Sequence, residues 1–179
     1  IISAVVEEAD GARAMAHIHR RFFQARVLLD VHLLGAGNVG GSLLGQIQRQ
    51  HDNLLAQGLD LRVATVATSK KMKVDPRGID LAHWREALAE GGATDLDHLL
   101  DTVRNGPPSM SVLVDCSTSG ELAARYLDIF DSGFHVVAAN KKANSSTQAF
   151  HRQLREHSTR KGVRFLYEAN VGAGLPIID

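Results

Sequence analysis

The sequence predicts an α/β fold built on a doubly wound, mainly parallel sheet, and three observations carry that prediction. From Asp30 to Tyr167, short apolar segments alternate with longer amphipathic ones. The first such pair is separated by a glycine-rich turn, Gly35-x-Gly37-x-x-Gly40, followed at once by Gly41. The amphipathic stretches are long enough to carry the chain from one parallel strand to the next, and right-handed crossovers then wind helices onto both faces of the sheet.

Taken in order, residues 31–34 read as a strand and 39–56 as a helix, with Val39, Leu43, Leu44, Ile47, Leu54 and Leu55 at its apolar positions. Residues 61–67, 112–115, 135–139 and 164–167 read as further strands, and 81–90, 96–104, 121–131 and 147–161 as helices between or beside them. Upstream, residues 1–6 read as a strand and 12–23 as a helix, joined by the acidic turn Glu7, Glu8, Asp10 and Gly11. One strand and one helix cannot bury their apolar faces alone, so residues 1–25 are expected to form a separate piece that docks elsewhere, with 26–179 as the main domain.

Composition narrows the class. A chain of 179 residues with 44% hydrophobic content is long enough for one well-buried domain. Twenty Lys and Arg balance twenty Asp and Glu, so overall charge makes no case for nucleic acid or an acidic membrane surface. The single cysteine, Cys116, rules out an internal disulfide and suits a reducing, cytoplasmic setting. No apolar run approaches the roughly 18 to 20 residues of a membrane span. The chain opens without Met and ends inside the apolar phrase Leu175-Pro176-Ile177-Ile178-Asp179, which predicts a piece of a longer protein.

In its strand-to-helix setting the glycine turn points to a Rossmann-type NAD(P)-binding domain. Gly35 would allow the tight turn, Gly37 would let the backbone approach a pyrophosphate, and Gly40 would let helix and strand pack closely. The phosphates would face the helix N-terminus at Asn38, Val39 and Gly40. The alternative is a tight turn with no ligand. At the end of the second strand, Ala67-Thr68-Ser69-Lys70-Lys71 lacks the carboxylate expected for the NAD ribose and offers Ser69 and Lys70 to a 2′-phosphate instead, which favours NADP while leaving NAD possible. Solvated loop lysines are the other reading.

The strand end Asp115-Cys116-Ser117-Thr118-Ser119 places small polar groups where cofactor ribose or nicotinamide would lie, and Thr118 or Ser119 could also cap the next helix. Cys116, with no basic neighbour, reads as a small core residue rather than a nucleophile. Lys141, with Lys142 in reserve, stands at a strand end where an ammonium can reach a substrate carbonyl or the nicotinamide. The run Tyr167 to Pro176 carries two glycines that could turn carbonyls toward a monovalent cation, close over nicotinamide, or form a hinge; spacing alone leaves all three open. Trp84, on an amphipathic stretch, reads as packing, and nine histidines show no metal-ligand spacing.

Together "GAGNVGG", "VDCSTS", "GFHVVAANKKANSS" and "YEANVGAGLP" closely resemble the cofactor domain of homoserine dehydrogenase, and "ISAVVEEADGARAMAHIHRRFF" resembles the end of the ACT region of bifunctional aspartokinase/homoserine dehydrogenases. The resemblance covers essentially the whole chain. It implies reversible hydride transfer between NAD(P)H and aspartate 4-semialdehyde, giving L-homoserine on the route to threonine and methionine, and a homo-oligomer in the full-length protein. It maps cofactor contacts to Gly35 through Gly40, Ser117 and Thr118, and a functional lysine to Lys141. It assigns backbone coordination of a monovalent cation, sodium, to Glu168, Val171, Ala173 and Leu175. It also implies that the substrate-binding carboxylates and a second, proton-transferring lysine lie beyond Asp179, so that the 179-residue chain is expected to bind cofactor without turnover. The competing functions are a non-catalytic nucleotide-sensing module and another dehydrogenase of small amino-acid-derived substrates. An aspartate-semialdehyde dehydrogenase would need a nucleophilic cysteine, for which Cys116 lacks the setting.

Overall fold

Strand β1 (Val27–Leu34) lies at the centre of the sheet because its residues 30–34 are buried on both sides, a pattern only an interior strand can satisfy. The computed structural model describes Gly11, residues 26–106 and residues 109–170, so the strand and helix read at 1–6 and 12–23 fall outside the described residues. After β1 come α1 (Asn38–Ala56), β2 (Leu59–Ala67), β3 (Lys71–Val74), α2 (Trp84–Ala89), β4 (Gly92–Ala93) and α3 (Leu96–Asn105). Then follow β5 (Met110–Asp115), α4 (Gly120–Ala124), α5 (Tyr126–Asp131), β6 (His135–Ala138), α6 (Gln148–Lys161), β7 (Phe165–Leu166) and a single 3-10 turn at Glu168–Asn170.

The sheet has seven strands in the order β4-β3-β2-β1-β5-β6-β7. Strands β2, β1, β5, β6 and β7 are parallel neighbours. β3 and β4 add antiparallel at the β2 edge. The doubly wound, mainly parallel reading therefore holds, and the antiparallel edge is the addition. The chain reverses its direction of travel across the sheet between β1 and β5, and in open α/β sheets that is where a crevice opens at the carboxyl ends of the strands.

Two cores sandwich the sheet. On one face Val31, Leu33, Val63 and Val66 pack against Leu44 and Ile47 of α1 and Trp84 and Leu88 of α2. On the other, Leu34, Leu113 and Val136 meet Leu99 of α3, Tyr126, Ile129 and Phe130 of α4–α5, and Leu154 of α6. Phe165 closes this second core edge-on to Tyr126 and Phe130, with ring centroids 5.6 and 5.8 Å apart. The first face is covered only over β1 and β2. Among the described residues, an apolar groove of about 520 Å³ remains beside α1, over Val114, Cys116, Val137 and Ala139.

Two local readings are corrected. The stretch read as a single helix over 121–131 is two short helices meeting at Arg125, whose φ of −89° and ψ of 4° leave the α-helical region. Lys71, read with Lys70 as a loop cation, starts β3, and its ammonium donates to the Ala89 carbonyl at the C-terminal end of α2.

Candidate functional site

The glycine turn is built by three different constraints. Gly35 has φ of +101°, which an L side chain rarely adopts, and a β-carbon there would lie 2.5 Å from the Ser117 nitrogen. A β-carbon at Gly40 would fall on the carbonyl oxygen of Gly35, so helix and turn touch there. Gly37 differs, because a β-carbon there meets nothing within 4 Å. Its surface is open. The turn is held in place when Gly35 and Ala36 both donate to the Ala67 carbonyl at the end of β2, at 2.8 and 2.9 Å.

Gly37 is also the N-cap of α1, with no side-chain hydrogen bond and no acidic residue in the first turn. The first N–H groups of a 19-residue helix thus emerge without an internal acceptor, at the positive end of its dipole. Asn38 and Val39 are exposed, Val39 by 59%.

On either side of this helix end lies a cavity. One is a cleft of about 310 Å³ between the ends of β1, β2 and β5, the start of α3 and the α4–α5 corner. Gly35, Thr68, Ser69, Ser117 and Ser119 line it on the strand side, with Leu96, Glu121, Leu122 and Arg125 opposite. The other is the apolar groove already described, which Asn38, Val39 and Ser42 of α1 also line. A larger depression of about 740 Å³ runs along the outer face of α6 alone, between Gln148 and Arg160, away from the strand ends.

The strand-end loops are organised by a residue that sequence reading passed over. Asp115 is fully buried at the end of β5, and three donors meet its carboxylate. They are the Tyr126 hydroxyl at 2.7 Å, the Asn140 side-chain amide at 2.9 Å and the Ser117 backbone N–H at 2.8 Å. Asn140, itself buried, also donates to the Ser119 carbonyl at 2.8 Å, and its oxygen accepts from the Lys142 N–H at 3.0 Å. The loops after β5 and β6 are therefore tied to one buried anion. Burial, then the charge of Asp115 beside it, raise the Tyr126 phenol well above its ordinary value, so it stays a donor. The signal available in sequence was a carboxylate closing an apolar strand, with an Asn closing the next.

The sequence-predicted residues distribute as follows. Gly35, Gly37, Asn38, Val39 and Gly40 form the turn and helix end, and Ser69 and Ser117 line the cleft. Lys70 is exposed on the Thr68–Lys71 turn, where its N–H donates to the Thr68 hydroxyl at 3.2 Å, and it does not line the cleft. Thr118 is exposed outside the cleft, and Ser119 is the cap, accepting from Leu122 at 3.1 Å. Lys141 and Lys142 are exposed beyond β6, two residues past Ala139 of the groove in the case of Lys141. Glu168 is exposed in the 3-10 turn, whereas Val171, Ala173 and Leu175 lie outside the described residues. Cys116 is half-buried, and burial followed by the Asp115 charge pushes its thiol up to about 11, which suits packing and not nucleophilic attack.

Comparison with known proteins agrees with this arrangement. Residues 35–168 match the family described as the NAD binding domain of homoserine dehydrogenase. Bifunctional aspartokinase/homoserine dehydrogenases from Haemophilus influenzae and Arabidopsis thaliana are similar to the chain. The first is 36% identical over 99% of this chain and 22% of its own length, and the second 39% identical over 99% and 20%. The chain thus spans about a fifth of the length of these curated relatives. A hyperthermophilic archaeal homoserine dehydrogenase, solved in complex with NADPH, shares the fold with a TM-score of 0.68, at 22% identity over 84% of this chain and 47% of its own. On the match that runs from the glycine turn to the end of the last strand, the chain belongs to the homoserine dehydrogenase family, as its NAD binding domain.

Proposed function

We propose that the chain holds NADPH, in preference to NADH, across the carboxyl ends of β1, β2 and β5, as the cofactor part of an enzyme that interconverts aspartate 4-semialdehyde and L-homoserine. The observation that carries this is the uncapped N-terminus of α1 beside the open surface of Gly37, between a polar cleft and an apolar groove. The cradle fits a pyrophosphate: the space that a side chain would fill is open, and the N–H groups of Asn38, Val39 and Gly40 supply donors and a favourable dipole. The adenosine half then occupies the cleft and the nicotinamide half the groove. The bound dinucleotide supplies the hydride or accepts it.

The protein's own groups do the rest. Asp115 fixes the Ser117 loop against one side of the cofactor and, through Asn140, fixes the loop that carries Lys141. Lys141 donates to the substrate carbonyl oxygen as negative charge grows there. The groove walls, Val114, Val137 and Ala139, keep water from the reacting face. Sodium coordination by the carbonyls of Glu168, Val171, Ala173 and Leu175 is part of the same proposal, supported by the family resemblance alone, and no step depends on it. Residues 1–25 are proposed as the end of an ACT-like regulatory region preceding the dinucleotide domain.

Preference for NADPH rests on the absence of a ribose carboxylate at the end of β2, where Thr68 and Ser69 stand, with Lys70 close by in the same turn. A charge-assisted phosphate contact contributes about 1.5 to 3 kcal/mol, or roughly 10- to 100-fold in affinity. Calorimetric titration of both cofactors tests it: NADPH is expected to bind tighter, and Lys70→Ala to narrow the gap without loss of NADH binding. Equal affinities, or tighter NADH, would contradict the preference.

A further inference from the structure

The wall of the cleft opposite the β2 turn carries two charged side chains, Glu121 and Arg125, one helical turn apart on the α4–α5 corner. Arg125 is held by two carboxylates: its Nη2 donates to Asp97 at 2.6 Å and its Nε to Asp128. These bonds fix the guanidinium across the junction of α3 and α5, and among the described residues its Nη1 donors have no acceptor. Glu121 makes no hydrogen bond or ion pair among the described residues, although it lines the cleft. Between the two walls the cleft is apolar, through Leu34, Met72, Leu96 and Leu122. A flat apolar slot with one anchored donor and one uncommitted acceptor on the same wall fits a planar ring whose edge offers a donor next to an acceptor.

Adenine has that edge, with the N6 amine as donor and ring N1 as acceptor. We propose that Glu121 and Arg125 read the Watson–Crick edge of the cofactor's adenine, the Glu121 carboxylate accepting from N6 and Arg125 Nη1 donating to N1. The assignment rests on the dinucleotide reading given above and adds to it the determinants of base specificity. The break between α4 and α5 then has a purpose, since it turns Arg125 toward the slot while its guanidinium stays anchored to Asp97 and Asp128.

The test is a titration of the full chain with NADPH and with its hypoxanthine analogue, in which the N6 amine is replaced by a carbonyl oxygen and N1 carries a hydrogen. The analogue sets an acceptor against Glu121 and a donor against Arg125, so it is expected to bind at least about tenfold more weakly. Glu121→Gln, whose amide donates as well as accepts, is expected to reduce that ratio to below about threefold, mainly by recovering the analogue. Glu121 is exposed, so this variant is expected to keep its fold. Equal binding of the two dinucleotides by the wild type, or a ratio left unchanged by Glu121→Gln, overturns the assignment while leaving dinucleotide binding intact. Binding of neither dinucleotide overturns the dinucleotide reading itself.

Discussion

At the scale of single residues, the buried polar groups set the sharpest expectations. Asn140→Asp would press a second carboxylate against Asp115 with no new donor, and is expected to lower stability by about 3 kcal/mol or more in urea unfolding. Tyr126→Phe removes one donor to the same carboxylate and is expected to cost about 1.5 to 3 kcal/mol. A smaller loss for Asn140→Asp than for Tyr126→Phe would contradict the hub assigned to Asp115. His32 gives a pH dependence. It is buried in β1, bonded to the Thr65 hydroxyl at 2.8 Å, and its Nε2 has no partner among the described residues. Burial lowers its pKa from 6.5 to about 4, against the smaller pull of Asp30. Below pH 6.5 the unfolded chain therefore takes up a proton that the folded chain refuses until about pH 4, and stability falls as acid is added across that window. The loss is on the order of 3 kcal/mol at most. Urea unfolding at pH 7 and pH 4.5 measures it, and His32→Leu is expected to flatten the slope; an unaltered slope in that variant would assign the effect to other groups.

At the scale of elements, the helices were legible where capping and periodicity agreed. Helix α6 starts after Thr147, whose hydroxyl accepts from Phe150 at 3.2 Å, and stops at Gly162 with φ of +68°. Thr147→Ala is expected to cost about 1 kcal/mol and Gly162→Ala about as much, both measurable as shifts in thermal midpoint. Strand β3 was not legible: Lys-Met-Lys-Val at residues 71–74 is short and half charged, and it is a strand because β2 offers it an edge and Met72 a place in the core. Two-residue β4 exists only as the continuation of that edge. The break at Arg125 was equally hidden, since the apolar spacing of 121–131 continues through it and only the ion pairs with Asp97 and Asp128 mark the corner. Trp84, by contrast, was read correctly as packing, because an apolar residue on an amphipathic stretch has few other places to go; it is buried against α1 beside Gly41.

For the molecule as a whole, the order of strands turns a glycine turn into a candidate site. β2 and β5 flank β1 on opposite sides, so the loops that follow them part above the N-terminus of α1, and the cleft and the groove open on either side of it. Alternating apolar and amphipathic segments made this architecture readable, and strand-end position made Gly37, Ser69 and Ser117 readable with it. Asp115 and Asn140 were not, because their role is to meet each other across two strands, and nothing in a linear sequence pairs residues so far apart. Within a longer protein that carries a substrate region, Lys141→Ala is expected to lower hydride transfer by about 100-fold or more while shifting stability by less than about 0.5 kcal/mol, since the side chain is exposed in the fold. Steady-state kinetics beside urea unfolding separates the two, and near-normal turnover would move the role to Lys142. The central claim, that the open surface at Gly37 is a pyrophosphate cradle, is tested most directly by calorimetric titration of NADPH into the wild-type chain and into Gly37→Val. Because a β-carbon at Gly37 meets no protein atom within 4 Å, the variant is expected to keep its circular dichroism spectrum and thermal midpoint and to lose NADPH binding. A folded Gly37→Val chain that binds NADPH as tightly as the wild type would contradict it.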